Sequence, residues 1–63
     1  MTGDELRRIR KRMGLTQAGL AKIVGVDKNS IARQERGEMG IREPLAKLIR
    51  LIAETKVRQK GRN

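Results

Sequence analysis

Lys28, Asn29 and Arg33 bring an ammonium, an amide and a guanidinium into a stretch of six residues. Arginine can donate a fork to O6 and N7 of guanine, and asparagine can pair with N6 and N7 of adenine. A lysine near the helix start serves guanine or phosphate, and the free amides of that end attract phosphate as well. Out of context the three are ordinary exposed helix residues. Their meaning therefore depends on the elements that hold them.

Catalytic chemistry has little to work with. The 63 residues contain no His, which removes the commonest general base and imidazole ligand. They contain no Cys, which removes disulfides, thiolate nucleophiles and thiolate metal sites. Asp4 and Glu5 are adjacent acids, but acids in a first helical turn are explained by the helix dipole. We expect no enzyme, no cofactor and no metal.

Charge points to a partner. Sixteen Lys and Arg against seven acids give a formal net charge of +9. A charge of that sign on so short a chain favours polyanions, nucleic acid first and an anionic membrane surface second. Apolar runs such as Leu51-Ile52-Ala53 are far too short to span a bilayer. Asp4, Glu5 and several arginines interrupt any secretory signal, so cytoplasmic residence is expected.

The positioning elements are all helical. Thr2-Gly3-Asp4-Glu5 reads as a capping box, with the Glu5 carboxylate returning to the Thr2 amide. Leu6, Ile9 and Met13 follow on one face, and Gly14 ends the helix. Thr16 caps a second helix with Leu20, Ala21 and Val24 as its apolar stripe, stopped by Gly25. Asp27 caps a third, covering residues 28–36, with Ile31 inward and Gly37 closing it. Glu38 to Arg42 form a loop, and Pro44 suits the first helical position of a fourth helix. Leu45, Leu48, Ile49 and Ile52 recur at i, i+3, i+4 and i+7, predicting its core face. Residues 1–55 form one domain, and 56–63 read as a basic, flexible tail.

The stretch from Thr16 to Gly37 is the informative one. Its two short helices meet at Gly25-Val26-Asp27, a tight bend that fits a rigid pair able to push the second helix into a major groove. Arg10, Leu15-Thr16-Gln17, Leu20-Ala21, Val24-Gly25-Val26, Ile31, Glu35 and Gly37, as a spaced set over residues 5–54, resemble the Cro/Xre-type helix-turn-helix family. Its best known members are the lambdoid phage repressors.

The resemblance implies an all-α, lambda repressor-like bundle of four or five helices that binds specific duplex DNA. It implies DNA contacts from Thr16, Gln17, Lys28, Asn29, Ser30, Arg33 and Arg42. Gln17 would clamp a phosphate and buttress the base contacts, Ser30 would meet the backbone, and Arg42 the backbone or minor groove. It also implies a structural ion pair between Arg10 and Glu35. Gln34 departs from the pattern, standing where relatives often carry a large apolar residue.

The expected protein is a transcriptional regulator, of repressor or antitoxin type, on a palindromic operator. It would act as a homodimer, either weak or DNA-induced, through Leu51 and the outer face of the fourth helix. One rival is an antitoxin-like or accessory module whose main duty is binding a partner protein such as a toxin. Another is a structured-RNA or membrane-surface binder driven by charge alone.

Overall fold

Three of the four helices begin where a short polar side chain can take an amide that the helix leaves unpaired. Thr2 Oγ1 accepts from the Glu5 amide at 3.1 Å, Thr16 Oγ1 from Gly19 at 2.9 Å and Asp27 Oδ2 from Asn29 at 3.2 Å. The elements are α1 (Gly3–Arg12), α2 (Gln17–Val24), α3 (Lys28–Glu35) and α4 (Glu43–Arg62). These come from a computed structural model that describes the backbone of residues 1–62 and the side chains of residues 1–55. The side chains of the segment expected as a tail, 56–63, lie outside the described residues.

One half of the expected capping box is present and the other is not. The Glu5 carboxylate sits 3.7 Å from Arg50 Nη2 instead of returning to the Thr2 amide. Arg50 also reaches Glu43, at 3.6 Å, so α1 and α4 share a loose, solvent-screened charge cluster. Pairs this exposed contribute little to stability.

Helix α2 packs most closely on α3, α3 also packs on α1, and α4 leans against α1 and α2. The interior is aliphatic: Leu6, Met13, Leu20, Ala21, Ile31, Ala46 and Ile49 are buried, with Ile9, Leu15, Val24, Val26, Ile41, Leu45 and Ile52 around them. Met1, to which the sequence assigns nothing, packs against the same cluster. Gly25, at φ 78°, makes the left-handed step between α2 and α3, which a side chain with a Cβ takes only under strain.

Leu48 is the core assignment that fails. It is 41% exposed, and the fully buried Ala46 takes the inward place instead. The inward stripe of α4 is 45, 46, 49, 52 and 53, rotated from the one read off the large aliphatics. Both stripes have helical period. An alanine carries too little apolar weight to mark the true centre.

A close approach invisible in the sequence fixes α1 against α3. A Cβ on Gly3 would stand 2.5 Å from the carbonyl oxygens of both Gln34 and Glu35. Those atoms belong to backbone, so relief requires moving a helix. At an ordinary exposed helical site Gly→Ala stabilises by roughly 1 kcal/mol. Here we expect the opposite sign, a loss of about 1–3 kcal/mol for Gly3→Ala from overpacking. Chemical denaturation of the variant checks it, and a midpoint at or above that of the parent would contradict the contact.

Candidate nucleic-acid interface

Residue spacing separates most of the buried face of α3 from its exposed face. Ile31 and Gln34 are buried and Glu35 is nearly so, and these define the inward side. Lys28, Asn29 and Arg33 are all exposed, Asn29 and Arg33 one turn apart on the other side and Lys28 at the amino end of the helix. Arg36, the C-terminal cap, lies three residues after Arg33 and seven after Asn29, spacings that stack on that same face. The sequence reading missed Arg36, although its offset from the other two was there to be counted. Ser30 is half-buried at the border of the face.

What holds the face in place is a polar junction centred on Glu35. Its Oε2 accepts from Arg10 Nε at 2.5 Å, and its Oε1 from Arg10 Nη2 at 3.1 Å and from Gln17 Nε2 at 3.0 Å. Arg10 Nη1 also donates to the Leu15 carbonyl at 2.9 Å. One carboxylate thus ties α1, the turn after it, the first residue of α2 and the last residue of α3 together. The Arg10 and Glu35 side chains are only 12% and 5% exposed. Gln17 therefore points inward to Glu35, where a phosphate-clamping role alone would have it face solvent.

Burial pushes the Glu35 carboxyl up, but hydrogen bonds from Arg10 and Gln17 and the charges of Arg10 and Arg7 outweigh it. The group ends below the usual carboxylate value. The hydrogen bond to Glu35 raises Arg10 further, against the opposing effect of burial. Arg7, Arg10, Gln17, Ala32, Glu35 and Arg36 line a groove between α1 and α3. Its rim is basic, with the arginines of α1 on one side and Arg36 on the other.

Thr16 is exposed at the start of α2 with its hydroxyl committed to the cap. Arg42 is exposed immediately before α4, where its carbonyl accepts the Ala46 amide at 2.9 Å. α4 starts one residue before Pro44, not at it. Gln34, which departs from the family pattern, is 6% exposed, and its Oε1 has no hydrogen-bond partner. Ile23, Leu48 and Leu51 are exposed apolar side chains, at 49%, 41% and 53%. No helix of the described residues is long and apolar enough to cross a membrane.

The sequence pattern of a family described as helix-turn-helix matches residues 6–55. The chain is also similar to antitoxin PezA of Streptococcus pneumoniae serotype 4, at 37% identity over 49 residues. That alignment takes in 78% of this chain and 31% of the relative, so the chain spans under a third of that protein's length. No solved structure matches at a significant level.

Because the folded Glu35 carboxyl titrates below its unfolded value, its stabilisation is complete above about pH 4.5. The stabilisation is lost as pH falls through the lower, folded value. We expect thermal stability to hold from neutrality to about pH 5 and then drop, with the acid limb flattened in Glu35→Gln. Glu35→Ala, which leaves Arg10 buried and unpaired, should lose about 3 kcal/mol. That is a large share of the roughly 3–9 kcal/mol expected of a domain this size. Urea titrations across pH provide the measurement, and a Glu35→Gln acid limb as steep as the parent's would assign the transition to another group.

Proposed function

This chain belongs to the Cro/Xre-type helix-turn-helix family, and we propose that it is a transcriptional regulator, of repressor or antitoxin type, that reads operator DNA with α3. The observation that carries the reading is the exposed polar face of Lys28, Asn29 and Arg33 on a helix whose other side is locked by Ile31 and Glu35. A reading helix needs both properties, since a side chain that wobbles cannot discriminate base edges. Arg33 donates to guanine, Asn29 pairs with adenine, and Lys28 serves a guanine or a phosphate at the amino end of α3. Thr16 and Ser30 take the sugar-phosphate backbone, and Arg42 the backbone or the minor groove. Gln17 meets the backbone from within the Glu35 junction. The family membership points to a DNA-binding regulator rather than an enzyme.

A dimer on a palindrome fits this arrangement, with half-sites one helical turn apart, roughly 34 Å. The outer face of α4, where Leu48 and Leu51 are exposed, is the surface we assign to it. Residence in the cytoplasm, beside the DNA, belongs to the same reading.

A second reading has its own support in those exposed apolar side chains and in the antitoxin to which the chain is similar. In it, Ile23, Leu48 and Leu51 receive a toxin or other partner protein, and DNA binding is secondary.

Selection from a random duplex library at physiological salt tests the main reading. We expect a palindromic consensus, and Arg33→Ala to lose about 1–3 kcal/mol on it while relaxing one base preference. Affinity should fall with salt at a log–log slope near −0.9 per phosphate neutralised. Enrichment of no sequence, with Asn29→Ala and Arg33→Ala weakening all duplexes equally, would reduce the protein to a charge-driven binder.

A further inference from the structure

The turn after α3 returns an acid onto the reading face. The Gly37 amide donates to the Gln34 carbonyl at 3.2 Å and the Glu38 amide to the Arg33 carbonyl at 2.9 Å. These two bonds close the helix in the usual glycine-terminated manner, with Gly37 at φ 81°. The reversal fixes the Glu38 backbone beside the last turn of α3. Its carboxylate then takes both arms of Arg36, Oε2 from Nε at 2.7 Å and Oε1 from Nη2 at 3.4 Å.

Both side chains are more than half exposed, at 60% and 55%, so the pair does little for the fold. Its consequence lies in what Arg36 can still bind. A guanidinium fork matches a carboxylate and a phosphate with the same geometry, so Glu38 holds the Nε–Nη2 edge and a phosphate must displace it there or bind through the remaining Nη1 side. The hydrogen bond and charge of Arg36, with a smaller contribution from the charge of Arg33, hold the Glu38 carboxyl below its usual value. Glu38 is ionised near neutral pH, as an exposed carboxylate ordinarily is.

We infer that Glu38 is an affinity-limiting residue of the α3 face, keeping the Nε–Nη2 fork of Arg36 on itself and away from the phosphates of a bound duplex. The inference rests on the DNA-binding reading and adds a residue to it that neither the family resemblance nor the sequence singled out. A phosphate contact carries no sequence information, so its loss weakens all duplexes alike. Glu38 thereby leaves Asn29 and Arg33 a larger share of the total binding. The acid also repels nearby phosphates directly, a lesser effect that a fork-deleted background isolates.

Glu38→Gln keeps the shape and removes the charge. On a short mixed-sequence duplex at low salt, we expect it to bind about three- to tenfold tighter than the parent. The log–log salt slope should steepen by about 0.9, one further phosphate neutralised. In an Arg36→Ala background the same change should gain little, and thermal melts verify that each variant folds. No gain from Glu38→Gln, or an equal gain with Arg36 removed, would overturn the inference while leaving the DNA reading intact. A parent protein that binds neither selected nor mixed duplex would bring down both.

Discussion

Everything that the exposed face of α3 can do depends on the carboxylate behind it. Glu35 is the meeting point of Arg10 from α1, Gln17 from α2 and the end of α3 itself. In so short a chain, with no aromatic side chain, aliphatic packing alone fixes helix angles loosely. Hydrogen bonds to a nearly buried charge are directional, and leaving any of them unmade is expensive. The junction contributes register more than net stability, as buried ion pairs generally do. It turns a soft bundle into a frame with one allowed orientation for α3.

Much of the architecture was legible in the sequence because small polar residues and glycines mark helix ends chemically. Thr2, Thr16 and Asp27 each cap the helix they precede, and the bend at Gly25 falls where the spacing puts it. The Arg10 to Glu35 contact could be expected only through the family resemblance, since a separation of 25 residues has no local signature. Asn29 and Arg33 share a face because they stand one helical turn apart, whereas Lys28 reaches solvent at the amino end of α3.

The parts that were not legible are contacts between elements. Nothing in the string distinguishes Ala46 from any other small helix former, yet it is fully buried while the larger Leu48 is not. Glu5 was expected to serve its own helix start, but a long-range arginine competes for it. Arg36 and Glu38 are two residues apart, and nothing in the sequence singles them out. Only the turn at Gly37 makes them partners on the reading face. Gln17 could be assigned outward because its amide suits a phosphate as well as a carboxylate, and only the fold places Glu35 within its reach.

The wedge formed by Gly3 has a mechanical implication. With the start of α1 lodged against the last carbonyls of α3, the reading helix cannot rock about its axis without dislodging α1 and the buried Leu6 behind it. Adaptation between protein and ligand must then come from the other side. For a duplex, the work of bending or narrowing a groove varies with base step, including steps that no side chain touches. A stiff reader of this kind selects among sites by their pliability as well as by their letters.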